Sequence, residues 1–194
     1  MKLFILLDTS GSMEGAKIGS LNDCMCNIII DFQEKAFDKT EIEMSVLSFG
    51  REVKWMYDSP KSILNFSWKE LHAGGLTPLG KTCIELSKYL NENSEIDKDN
   101  IILLLSDGCP TDDYEEGIDI LHRNDIFNSA KRFAIALGDD ADVKSLCSFT
   151  GFKENIYEIS NINDLFDILN NISTKELNKK NNKTRVNNAE DEWD

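Results

Sequence analysis

Asp8, Ser10 and Ser12, in the stretch DTSGS, place one carboxylate and two hydroxyls close together near the start of the chain. These are hard oxygen donors, and they suit magnesium, which takes about six oxygens and keeps part of its water, better than a metal that seeks sulfur or imidazole. A further carboxylate, Asp107, closes the run IILLLSD. The stretch GGLTPLGKT, Gly74 to Thr82, allows two chemistries. Read from Gly75 it satisfies the phosphate-loop pattern G-x-x-x-x-G-K-[ST] of an NTPase, with Lys81 as its lysine and Asp107 as the magnesium-holding acid. Alternatively, Thr77 presents one more hydroxyl to a metal held mainly by the other loops.

For these groups to meet, distant segments must reach one edge of the fold. Residues 3–7, LFILL, are continuously apolar, as in a strand buried on both faces, and lead into Asp8. Ile18, Leu21, Met25, Ile28, Ile29 and Phe32 recur at three- and four-residue intervals and predict a helix over roughly 16–36. EIEMSVLSF and EVKWMYD predict two strands joined by a tight hairpin through Gly50 and Arg51. Leu79, Cys83, Leu86 and Leu90 mark a helix that begins just past Pro78, where a proline is tolerated. A second doubly buried strand at 101–105, a helix over 113–126, the strand RFAIALG and a short helix near 142–149 follow. The strand NIYEI and a helix carrying Ile162, Leu165, Phe166, Leu169 and Ile172 complete the alternation.

This pattern predicts an α/β fold: a Rossmann-like, doubly wound, mainly parallel six-stranded sheet with one antiparallel edge strand and helices on both faces. Ligands in such sheets bind at the carboxyl ends of the strands. If the strands leading to Asp8 and Asp107 are neighbours, their carboxylates converge there.

A phosphate loop needs a buried strand directly before its glycines to aim it. FSWKELHA stands in that place, with Lys69, Glu70 and His72 and no β-type apolar run. The metal reading is therefore preferred, and Lys81 is read as a solvated helix residue. A phosphatase using Asp8 as nucleophile would need a second acid two residues later as general acid and base, where this chain has Ser10.

With 194 residues and 41% hydrophobic content, the chain can bury one substantial core, and residues 1–173 read as one domain. Residues 174–194 are polar and without periodicity, and read as a disordered tail. A net charge of −14 disfavours nucleic acid and anionic membrane surfaces and favours cations or basic partners. LFILL is too short for a signal-peptide core or a membrane span, so a cytoplasmic protein is expected. Cys24, Cys26, Cys83, Cys109 and Cys147 lack paired C-x-x-C spacing and are expected to be reduced and mostly buried. Asp112 and Asp113 read as helix-capping acids, and His72 and His122 as surface or packing residues.

The chain resembles the von Willebrand factor A domains, whose metal-ion-dependent adhesion site (MIDAS) combines D-x-S-x-S with a distant threonine and a distant aspartate. Asp8, Ser10 and Ser12 in DTSGS, Thr77 in GGLTPLG and Asp107 in SDGCPTD match those positions. FILLDTSGSM, TPLG and LLSDGCPTDD look like the intracellular bacterial branch that includes the TerY-like proteins of tellurite-resistance clusters. The resemblance extends to about residue 172. One departure is Leu76, which separates the Gly-Gly pair from Thr77, where many relatives place threonine directly after glycine.

The resemblance implies that Ser10, Ser12 and Thr77 contact Mg2+ directly as neutral hydroxyls, with Mn2+ or Ca2+ as alternative occupants, while Asp8 and Asp107 act largely through water. It implies a binding module and not an enzyme, with an open metal position for an Asp or Glu of a protein partner; the alternative within the same resemblance is a scaffold with no functional metal site. A stress-response role, or one beside kinase and phosphatase proteins, would follow from the tellurite-resistance branch.

Overall fold

The computed structural model describes residues 1–35, 42–93, 100–138, 141–160 and 164–169. The expected positions of Ile162 and Ile172, and the whole 174–194 segment, lie outside the described residues.

The central strand is β1, Lys2–Asp8, and the order of elements after it is α1 (Ala16–Lys35), β2 (Glu43–Phe49), β3 (Val53–Trp55), β4 (Lys61–Ser62) and α2 (Leu79–Asn93). They are followed by β5 (Ile101–Ser106), α3 (Tyr114–His122), α4 (Asp125–Ser129), β6 (Lys131–Leu137), α5 (Val143–Thr150) and β7 (Ile156–Ile159). The sheet runs in the order β3-β2-β1-β5-β6-β7. β2, β1, β5, β6 and β7 are parallel, and β3 closes one edge antiparallel to β2. The doubly wound, mainly parallel sheet is therefore present, with one correction to the count. The two-residue β4 also pairs antiparallel with β2, through Glu43↔Ser62 and Met44↔Lys61, and makes the sheet seven-stranded. Two residues are too few to leave an alternation in the sequence.

The unbroken apolar runs in β1 and β5 have a direct explanation, because both faces of the sheet are covered. Leu3, Ile5 and Leu7 pack with Ile101, Leu103 and Leu105 under α1, whose Leu21, Met25, Ile28 and Phe32 are buried. Residues 164–169 are helical and add Leu165 and Leu169 to the same layer. Phe4 and Leu6 face the other way with Ile102 and Leu104, against Leu79, Cys83, Leu86 and Leu90 of α2, Ile118 and Leu121 of α3, Phe127 of α4 and Phe149 of α5. Each such side chain stabilises the fold by about 1.5–3 kcal/mol relative to exposure.

The helix expected over 113–126 is divided in two. Asn124 interrupts it, since its side-chain oxygen accepts from the N–H groups of Ile126 (3.0 Å) and Phe127 (3.1 Å) and so caps a new helix. The expected strand over EVKWMYD is also shorter than its apolar pattern: Val53–Trp55 form the strand, and beyond it the Met56 N–H donates to the Val46 carbonyl of β2 (2.9 Å).

Cysteine burial departs from expectation as well. Cys24 and Cys83 are buried, Cys26 and Cys109 are exposed, and Cys147 is intermediate, all five as free thiols. Burial pushes the Cys24 thiol up to about 12 and raises that of Cys83 further. Thiolate is the reacting form, so titration of the folded protein with a disulfide reagent at pH 8 should label Cys26 and Cys109 rapidly. Cys24 and Cys83 should react only on unfolding; mass mapping that finds either of them labelled early would contradict this packing.

Candidate metal centre

The carboxyl ends of β1 and β5 lie side by side, with Leu7 opposite Leu105, so the loops leaving these strands share one edge. Asp8 is fully buried there. Its Oδ1 accepts from the Ser10 backbone N–H (2.8 Å) and its Oδ2 from the Ser106 hydroxyl (2.6 Å). Burial holds the Asp8 carboxyl above the usual carboxylate range, with the Ser10 and Ser106 hydrogen bonds opposing that shift. The Ser12 hydroxyl donates to Asp107 Oδ1 at 2.6 Å, and the Ser10 and Ser12 hydroxyl oxygens are 2.9 Å apart. Four of the five expected residues thus form one connected set of oxygens across two loops.

Thr77 joins them from a third loop. Its Oγ1 and the Ser12 Oγ lie 3.7 and 3.9 Å from a single point, the place a side chain on Gly108 would occupy. Thr77 is anchored through its own backbone, on the far side of Leu76 from the glycines. Its N–H donates to the Thr111 hydroxyl and its carbonyl accepts from the Thr111 N–H, both at 2.9 Å. The extra residue is accommodated by Leu76 itself, which projects outward with 67% exposure. The Gly-Gly pair is held to the DTSGS loop by two backbone bonds, Gly11 N–H to Gly75 O (3.0 Å) and Gly74 N–H to Thr9 O (2.8 Å). Gly75 has φ +89°, and a Cβ there would sit 2.5 Å from the Arg51 backbone nitrogen, so both conformation and space require glycine.

This donor set fits a hard divalent cation. Hydroxyls and carboxylates supply it, and no cluster of three or more His, Cys, Asp or Glu side chains suited to a metal is found among the described residues. A cation beside Asp8 would also offset the burial of its charge.

The phosphate-loop alternative meets two obstacles. No strand precedes Gly75, since residues 66–74 are in neither helix nor strand. The amides that would cradle phosphate are also occupied: the Gly80 and Lys81 N–H groups donate to Asp112 Oδ1 and Oδ2, each at 2.9 Å. Asp112 is thus a capping acid, as expected, but it caps α2 from across the edge, while Asp113 caps α3 through the Glu116 N–H (3.1 Å). Lys81 is exposed.

Comparison with protein families finds that the von Willebrand factor type A domain matches residues 2–173. The chain belongs to that family. No curated protein matches it. Among solved structures, this von Willebrand factor type A domain is similar to the ArnB paralog VWA2 from Sulfolobus acidocaldarius, at 20% identity and TM-score 0.64 over 86% of this chain and 43% of that one. It is similar to the pilus adhesin SpaC from Lactobacillus rhamnosus GG, at 13% identity and TM-score 0.72 over 91% of this chain and 30% of that one. It is also similar to proximal thread matrix protein 1 from the mussel byssus, a structure with a zinc-occupied MIDAS motif, at 15% identity and TM-score 0.60 over 88% of this chain and 44% of that one. The chain therefore spans less than half the length of these three proteins, and at such identities the likeness is one of fold. No helix among the described residues is long and apolar enough to cross a membrane.

Two residues of the von Willebrand factor type A edge escaped the sequence reading. Ser106, the last residue of β5, fixes Asp8, and nothing in an apolar run flags its terminal serine. Lys17 donates to Asp107 Oδ2 at 2.6 Å, so both oxygens of that buried carboxylate are used. A signal for Lys17 existed: it stands in the first turn of α1, where the helix dipole disfavours a cation. A nearby acid is what makes such a placement favourable.

Proposed function

We propose that this domain is a divalent-metal-dependent protein-interaction module in which Asp8, Ser10, Ser12, Thr77 and Asp107 hold Mg2+, with Mn2+ or Ca2+ as alternatives. The carrying observation is the convergence of oxygens from three loops on one edge, with Asp8 and Asp107 already oriented by Ser106, Ser10, Ser12 and Lys17. Ser10, Ser12 and Thr77 would be the direct ligands, and the two aspartates would orient them and their waters. Bound there, the metal would supply a positive coordination position for an Asp or Glu carboxylate of a protein partner. Because hydroxyls carry no formal charge, they leave the ion electrophilic toward that visitor. The preformed hydrogen bonds keep the oxygens in register, so little ordering remains to oppose binding.

The interaction role is favoured by family membership, and the pilus adhesin among the similar structures is consistent with it. The stress-response or tellurite-resistance context, and kinase or phosphatase proteins as neighbours, rest on the FILLDTSGSM, TPLG and LLSDGCPTDD motifs, and the cytoplasmic setting on the shortness of LFILL. The unit is taken to end near residue 173, with 174–194 as a tail outside it.

Calorimetric titration with MgCl2 tests this reading. The natural chain should bind one ion, and at a hundredfold excess over Kd the gain of about 2.7 kcal/mol should raise Tm by about 5–10 °C. Asp8→Ala should abolish the binding heat, while Lys81→Ala should leave it unchanged. An unaltered isotherm in Asp8→Ala, or none in the natural chain, would refute the assignment.

A further inference from the structure

Beside the metal edge lies an open cleft of about 670 Å³, whose wall includes Thr9, Arg51, Glu52, Lys54, Lys69 and Gly74. Three of those residues are cations, in a chain whose net charge is −14. Two of the three are engaged: Lys54 pairs with Glu52, and Lys69 donates to the Met56 carbonyl at 3.0 Å while lying over the Tyr57 ring. Arg51 differs, since no carboxylate pairs with it among the described residues. Its guanidinium lies directly on Gly74, where an added Cβ would meet Nε at 2.5 Å, and its backbone packs on Gly75. The glycines therefore hold an exposed, unpaired fork of donors at the mouth of the cleft.

From that fork only three residues of chain lead to the metal edge. Gly74 carries Arg51, Gly75 bonds to Gly11 of the DTSGS loop, Leu76 projects into solvent with 67% exposure, and the Thr77 and Ser12 hydroxyls both lie beside Gly108. Three residues of chain reach at most about 3.3–3.6 Å each, so an extended partner segment of about three residues is long enough to run from Gly74 to Thr77. Guanidinium is matched to carboxylate through paired N–H donors.

We propose that Arg51 is a second recognition point for the partner, which the structure thereby defines as an extended acidic segment carrying two carboxylates about three residues apart. One carboxylate serves the metal and the other is clasped by Arg51, with Leu76 offering an apolar contact between them. This deepens the function proposed above and rests on it, because the first carboxylate is the one assigned to the metal.

The test uses two capped peptides, Asp-Gly-Gly-Glu and Asp-Gly-Gly-Gln, followed by NMR titration of the magnesium-loaded full chain. The two-carboxylate peptide should bind about tenfold more tightly than the other. Arg51→Gln should erase that difference without altering the magnesium isotherm, and Arg51→Lys should restore only part of it, since lysine keeps the charge and loses the fork. Equal affinities in the natural chain, or a preference that survives Arg51→Gln, would overturn the role of Arg51 alone. If neither peptide binds although magnesium does, both this assignment and the acidic-partner reading fail.

Discussion

Replacing Gly80 by alanine is expected to destabilise the domain by about 2–4 kcal/mol, although alanine is the better helix former by about 1 kcal/mol. A Cβ on Gly80 would lie 2.3 Å from the carbonyl oxygen of Asp113 and 2.7 Å from its carbonyl carbon, and one on Gly117 would lie 2.3 Å from the carbonyl oxygen of Gly80. All of these are backbone atoms, so no side chain can swing aside. α2 and α3 must separate, and the Asp112 bonds to the α2 amides must lengthen with them. Because α2 follows directly on Thr77, magnesium affinity should fall together with stability. Gly19→Ala is the control: it lies in α1 with nothing within 4 Å of the added carbon, and it should stabilise by about 0.5–1 kcal/mol. Urea denaturation of both variants, with a magnesium isotherm for Gly80→Ala, decides the matter. Gly80→Ala at wild-type stability would show that the two helices are not in close contact.

Lys17→Met should lower the stability of the metal-free protein while raising its affinity for magnesium. Without the ammonium, the buried Asp107 carboxylate loses a partner at 2.6 Å and keeps only Ser12. Breaking a fully buried pair costs about 3–5 kcal/mol, but the Lys17 side chain is 44% exposed, so solvent screening reduces the expected loss to about 1–2 kcal/mol. In a chain of this size that lowers the metal-free Tm by roughly 3–6 °C. The same substitution removes a positive charge beside the proposed cation position, so magnesium affinity should rise about tenfold, or ~1.4 kcal/mol. The melting curves of Lys17→Met and natural protein should therefore converge as MgCl2 is raised. A constant gap between them would mean that Lys17 and the metal do not compete for Asp107.

The parts of the fold legible in the sequence are those governed by burial. LFILL and IILLL are apolar at every position because each is covered on both faces, and that pattern identified the two strands whose ends carry Asp8 and Asp107. α1 and α2 announced themselves in the same way, through periodic apolar residues. What escaped was set by contacts between residues far apart in the chain. Gly80 stands in the sequence only as the second glycine of the G-x-x-x-x-G-K-[ST] match, and its requirement comes from Asp113 and Gly117, which periodicity cannot reveal. Lys17 and Ser106 are polar residues whose partners lie in other loops. Asp112 was recognised as a capping acid, but helix assignment by proximity in sequence pointed to α3, whereas its oxygens serve α2. Asn124 is a familiar capping residue, but it lies inside the span 113–126 that reads as one helix.

The connection from Asp107 to Asp112 looks like a surface loop, with Cys109 and Thr111 exposed, yet it is fastened at both ends: Asp107 to Ser12 and Lys17 at one, and Thr111 to Thr77 with Asp112 to the first amides of α2 at the other. It has no slack. An engineer wishing to graft a recognition sequence onto this domain should leave that span at its native length, because a single inserted residue would force the choice between releasing α2 and misaligning the oxygens at the edge.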